Sequence, residues 1–181
     1  DRSQKLLRTH GFNAKEYIYL NLGAAVESRR WMVDRFTTLA KLILDETPWN
    51  IIIGGGPNEK SRGHSISNHL NSSRVMEVCS QPIMVNADII SKSRLMVTAD
   101  TGPMHIGFAM KTPVVALFGT ISPVSSGPHE IPENLYRIIE INRKKINGIE
   151  KPESDDFLFS SITVDMVWSQ VKNLLAENPS S

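Results

Sequence analysis

The stretch Ala99-Asp100-Thr101-Gly102-Pro103-Met104-His105 gathers the residue types that an anion site needs. Asp100 and Thr101 are helix-capping types. Gly102 lets a ligand approach the backbone closely. Pro103 suits a first helical turn, where its missing N–H costs nothing. The remaining N–H groups of such a turn favour a phosphate, and His105 in the same turn is a further donor. An ordinary capped helix with a surface histidine fits the same spacing.

Three other stretches carry polar chemistry at the ends of apolar runs. In Gly23-Ala24-Ala25-Val26-Glu27-Ser28-Arg29-Arg30-Trp31, a small-residue turn leads to two guanidiniums, which match phosphate oxygens bidentately. Arg29 is the candidate ligand. Arg30 is expected to be solvated and Trp31 to belong to the core. Leu117-Phe118-Gly119-Thr120-Ile121-Ser122-Pro123 is a polar loop whose backbone at Gly119 and Thr120 can meet a diphosphate; a plain turn is the alternative. Gly54-Gly55-Gly56-Pro57-Asn58-Glu59 places Glu59 where the third glycine of a dinucleotide fingerprint would stand, which argues against hydride transfer. Glu59 can accept from ribose hydroxyls, or serve only as a carboxylate at a helix N-terminus.

These ends have to be positioned by alternating strands and helices. Strands are expected over 16–21, 50–53, 74–78, 94–98, 113–118 and 135–141. Phe36, Leu39, Ala40, Ile43 and Leu44 form one helical stripe, and Val164, Val167, Trp168, Val171, Leu174 and Leu175 form another. Weaker helices are expected over 58–70, 83–91 and 102–110. Apolar strands between helices mean a parallel sheet covered on both faces. The fold class is therefore α/β, a single Rossmann-like, doubly wound parallel sheet. Ligands of such sheets bind at the carboxyl ends of the strands. Residues 148–157 read as a loop, and residues 1–14 as a linker or a short helix from a neighbouring domain, with residues 15–181 forming the domain itself.

Composition narrows the function. The chain has 181 residues, 40% of them hydrophobic, enough for one packed domain. Lys plus Arg is 20 and Asp plus Glu is 19, so no basic excess marks a nucleic-acid partner. Arg143-Lys144-Lys145 reads as a solvated loop. The single cysteine, Cys79, cannot form an internal disulfide and suits a reducing compartment. No apolar run is long enough to span a bilayer. The five histidines are scattered, with His64 and His69 off a shared helix face, so no metal site is expected. The sequence opens on Asp1 rather than Met, and the expectation is a piece of a longer protein.

Taken together, "ADTGPMHIGFAMKTPVVALFGTISPVSSGP", with "NLGAAVESRRW" and "IIIGGGPNE" upstream, resembles the ADP-heptose:lipopolysaccharide heptosyltransferases, glycosyltransferase family 9. The resemblance runs from about Tyr17 to Leu175. It implies the C-terminal, nucleotide-sugar-binding half of a GT-B fold. It implies that Asp100, Thr101, Gly102 and His105 surround the diphosphate and sugar, that Arg29 stands where the family has a phosphate-binding Lys, and that Glu59 lies near the ribose. It implies no metal and no cofactor: an ADP-linked sugar is the substrate. A lipid-linked or oligosaccharide acceptor and the general base then belong to the N-terminal domain, and this chain alone is expected to be inactive. The location implied is the cytoplasm, with the full enzyme peripheral to the inner membrane. Two departures bear on the sugar and base: Arg29 replaces Lys, and Ile121-Ser122 replaces the usual Thr-Asp. A sugar-nucleotide epimerase, a non-catalytic nucleotide-sugar module and an unrelated α/β domain are the competing readings.

Overall fold

Strands such as Ile51-Ile52-Ile53 have no polar side, so they need cover on both faces. The computed structural model describes residues 2–24, 26–119, 121–141 and 155–179, and it supplies that cover. Six strands form one sheet: β1 (Tyr17–Asn21), β2 (Asn50–Gly54), β3 (Val75–Glu77), β4 (Leu95–Ala99), β5 (Val114–Phe118) and β6 (Tyr136–Glu140). Their order is β3-β2-β1-β4-β5-β6, and every pairing is parallel. The expected strand and helix ends agree with these within two residues. This is the doubly wound α/β sheet read from the sequence.

Alternate side chains of each strand point to opposite faces. On one face Ile18, Leu20, Ile51, Ile53, Val97 and Leu117 meet α2 (Val33–Glu46), α3 (Lys60–Leu70) and α8 (Val164–Glu177). Both stripes read from the sequence lie there, with Phe36, Leu39, Ala40 and Ile43 buried on α2 and Val167, Trp168, Val171 and Leu174 on α8. On the other face Tyr17, Tyr19, Ile52, Met96, Ala116 and Phe118 meet α4 (Ile83–Lys92) and α5 (Gly102–Ala109). Helix α1 (Arg2–Thr9) joins that layer. Leu7 and Phe12 are buried in it, and the Ser3 hydroxyl donates to the Asp88 carboxylate on α4. The segment that reads as a linker or a stray helix therefore packs onto this domain's own core.

Two short helices complete the chain, α6 (Pro123–Ser126) and α7 (Asp155–Ser161). Residues 155–157 of the expected loop are thus helical; the rest of that loop, with Arg143-Lys144-Lys145, lies outside the described residues. Helix α7 is anchored by Phe159, whose ring covers Gly119 so closely that a Cβ on that glycine would stand 2.5 Å from it.

Gly54 ends β2 under a similar constraint. A Cβ there would lie 1.8 Å from the Tyr19 hydroxyl oxygen, and Tyr19 is too buried to retreat. Gly54→Ala should therefore destabilise the protein by about 1–3 kcal/mol, read as a lower urea midpoint. An unchanged midpoint would show that no such clash exists.

Candidate functional site

The sheet order creates the site. From β1 the chain winds outward through β2 to β3, then crosses back to β4 on the other side of β1. Connections leaving β1 and β4 diverge, and a crevice opens where they part. A cleft of about 440 Å³ lies there, within the usual range for small-molecule sites. Tyr19 and Asn21 line it from β1. Gly55, Gly56 and Glu59 line it from the β2 exit, and Thr101, Gly102 and Pro103 from the β4 exit. Ile83, Asn86 and Ile90 close it from α4.

Asn21, the last residue of β1, is only 1% exposed. Its Nδ2 donates to Thr98 Oγ1 at 3.0 Å, to Thr101 Oγ1 at 3.3 Å and to Gly23 O at 3.3 Å. The two threonine hydroxyls donate to Ala99 O, at 2.9 and 3.2 Å. One amide thus pins the exits of β1 and β4 together. Tyr19 Oη donates to Asn86 Oδ1 at 3.3 Å, which ties α4 to the floor. Burial, and then the neighbouring Cys79 and Tyr17, push the Tyr19 phenol far above its ordinary range, so it stays a neutral donor. Burial, the Glu77 hydrogen bond and the charges of Glu77 and Glu59 likewise push the Cys79 thiol up, which leaves it unreactive.

Glu59 is 5% exposed. Its Oε2 accepts from the Gly56 N–H at 2.9 Å, and its Oε1 accepts from Arg30 Nη2 at 2.8 Å. Arg30 also pairs with Glu27 at 2.7 Å, and Glu27 pairs with Arg62. The expectation that Arg30 is solvated is therefore wrong: its side chain is 15% exposed. A buried carboxylate needs a countercharge, and Arg30 is close enough to provide it. Trp31 is core as expected, and its Nε1 donates to Ile162 O at 2.8 Å.

Of the expected site residues, Glu59, Thr101 and Gly102 line the cleft. Thr101 does hold the N-cap position of α5, but its side chain makes no capping bond, contrary to the capping role read for it. Pro103 has no N–H to offer, the Met104 N–H goes to Thr101 O at 3.0 Å, and the hydroxyl is engaged by Asn21 and Ala99. Of the first three helical residues, Gly102 is then the one whose amide remains for a ligand. A Cβ on Gly102 would meet nothing within 4 Å, so protein packing does not demand the glycine. Asp100 does not cap the helix with its neighbour either; it accepts from Ser126 Oγ at 3.1 Å and so ties α6 to the β4 exit. His105 is exposed on α5 and Arg29 half-exposed in the turn at 27–29; neither lines the cleft. Gly119 is buried under Phe159, and Thr120 lies outside the described residues.

Sequence reasoning passed over Asn21, Tyr19 and Asn86. A polar residue ending an apolar strand beside a glycine was the available signal for Asn21. Nothing local marks Asn86, which reaches the cleft only because the β3–β4 crossover lays α4 beside it. Among the described residues no group of three His, Cys, Asp or Glu side chains stands close enough to hold a metal ion. Among them, too, no helix is long and apolar enough to cross a membrane.

Residues 1–154 match the family model for glycosyltransferase family 9 (heptosyltransferase). The chain belongs to that family. It is 26% identical over 167 residues to lipopolysaccharide heptosyltransferase 1 of Campylobacter coli, covering 90% of this chain and 48% of that one. Among solved structures, a family 9 glycosyl transferase of Veillonella parvula matches with a TM-score of 0.81 at 22% identity, over 97% of this chain and 51% of that one. Escherichia coli heptosyltransferase WaaC with ADP matches with a TM-score of 0.72 at 17% identity, over 95% of this chain and 48% of that one. The chain thus spans about half the length of these relatives. Within this family 9 chain the Arg30–Glu59 pair makes a direct prediction. Arg30→Met leaves the Glu59 carboxylate buried without its countercharge and should cost about 3 kcal/mol of stability. Adding Glu59→Gln should recover most of that loss in urea denaturation. A wild-type midpoint for Arg30→Met would show that the pair holds nothing in place.

Proposed function

We propose that this chain is the donor-binding half of a metal-independent GT-B heptosyltransferase. It binds ADP-heptose, or a closely related nucleotide sugar, in the cleft between the β1 and β4 exits. The observation that carries this reading is the cleft itself. A family 9 chain has, at its switch point, a crevice with an unobstructed glycine at a helix N-terminus on one side and a buried carboxylate on the other. The carboxylate suits ribose hydroxyls, and the Gly102 amide suits a phosphate oxygen. Arg29 and His105 are assigned to the diphosphate by charge and donor type, though neither lines the cleft, with Asp100 and Thr101 in the turn beside it. Gly119 and Thr120 remain candidates for the diphosphate on residue type alone.

In the reaction, an acceptor hydroxyl attacks the anomeric carbon of the donor. The bond from that carbon to the diphosphate oxygen breaks, and ADP departs with the electron pair. A general base in a separate N-terminal domain takes the hydroxyl proton. Positive side chains and helix-terminal amides stabilise the leaving diphosphate in place of a metal. The acceptor is the lipopolysaccharide core, held by that second domain at the cytoplasmic face of the inner membrane.

ADP or an ADP-sugar at 100 times its Kd should add about 2.7 kcal/mol of stability, a rise of roughly 5–10 °C in melting temperature for a chain of this size. Asp100→Ala should reduce that rise. No shift with millimolar ADP, UDP or GDP would sink the reading. Sugar transfer catalysed by this chain alone would overturn the assignment of the base to another domain.

A further inference from the structure

Resting on the nucleotide-sugar reading, we infer that Asn21 determines specificity in the cleft: its side-chain carbonyl accepts a hydrogen bond from a hydroxyl of the bound sugar nucleotide. The Gly23 carbonyl favours one orientation of the amide. With the Thr98 and Thr101 protons turned to Ala99 O, or one of them shared across the 3.2 Å between the two hydroxyls, both oxygens accept from Asn21. The two Nδ2 hydrogens are shared among both hydroxyls and Gly23 O; a flipped amide would set its oxygen against the Gly23 carbonyl, which cannot donate. Oδ1 is left buried with no hydrogen-bond partner. An acceptor in that state is costly, and here it belongs to a residue that lines the cleft.

Gly23 shows what that acceptor faces. The position its Cβ would take lies 3.5 Å from Asn21 Oδ1 and 3.7 Å from Glu59 Oε2. Two acceptors from different strand exits therefore flank one bare glycine. Oε2 uses one lone pair on the Gly56 N–H and keeps another. A pair of acceptors repels phosphate oxygen and selects a group that donates twice. The vicinal diol of a ribose does so. The phosphates then fall on the Gly102 side of the cleft, where an amide donates.

The test is calorimetric titration of the 181-residue chain with ADP, 2′-deoxy-ADP, 3′-deoxy-ADP and an ADP-sugar. The wild type should prefer ADP to one deoxy analogue by about tenfold, the scale of one hydrogen bond. In Asn21→Ala that preference should fall to about twofold. A purely structural role would weaken every ligand equally and leave the ratio unchanged, and that result would overturn the inference. If Asn21→Ala instead lowers only the advantage of ADP-sugar over ADP, the same carbonyl reads a hydroxyl of the transferred sugar. Gly23→Ala is the second variant. Its methyl meets only ordinary contacts at 3.5–3.8 Å, so the fold is kept. It stands between the two acceptors and should reduce ADP affinity about tenfold with an unchanged melting curve. Wild-type affinity in Gly23→Ala would also overturn the inference, whether or not Asn21→Ala folds. Wild-type chain that binds no nucleotide at all would fail the underlying reading first.

Discussion

The side-chain amide of Asn21 joins two strands whose continuations leave in opposite directions. Parallel strands hydrogen-bond along their length, but at their carboxyl ends the backbone turns away and the ladder stops. Between β1 and β4 that loss is greatest, because the chain winds one way from β1 and the other way from β4. Asn21 replaces the missing ladder with the two hydrogens of its Nδ2, shared among three acceptors. Gly23, Thr98 and Thr101 are all fixed by it, and with them both walls of the cleft. The Thr101 hydroxyl is drawn inward by this arrangement, which is why α5 begins without a side-chain cap.

The same crevice separates two kinds of polar surface. On the β2 side stand a buried carboxylate and the carbonyl of Asn21. On the β4 side stands an amide at a helix N-terminus. The Glu59 charge is tolerable in so buried a place because Arg30 neutralises it from behind and the Gly56 N–H fixes its second oxygen. Acceptors on one wall and a donor on the other suit a ligand whose hydroxyls and phosphates lie at opposite ends. That polarity gives a sugar nucleotide a direction as well as a place.

Much of the fold was legible because its signal is local. Ile51 to Ile53 and Val114 to Phe118 are apolar throughout, and this alone requires a doubly covered parallel sheet. The stripes on α2 and α8 follow from the 3.6-residue period. Asp100 to His105 was recognisable as a strand-to-helix turn with unusual residues. Arg30 was misread because its partner, Glu59, lies 29 residues away in sequence, and nothing near Arg30 announces a buried carboxylate. The packing of residues 1–14 was illegible for a related reason: Leu7 and Phe12 look isolated until Tyr17 and Ile89 are brought beside them.

The sequence by itself determined the period of the six strands and of α2 to α5 and α8, the parallel class of the sheet and the motifs at four strand exits. These depend on residue types at short spacing, which backbone geometry turns directly into faces and ends. Only the tertiary structure decided which exits meet. Strand order put β4 beside β1, which made Asn21, Thr98 and Thr101 one unit, and put β2 on the other side of β1, which gave Glu59 its arginine. Partners 29 to 80 residues apart are chosen by packing of the whole sheet, and no local pattern encodes that choice.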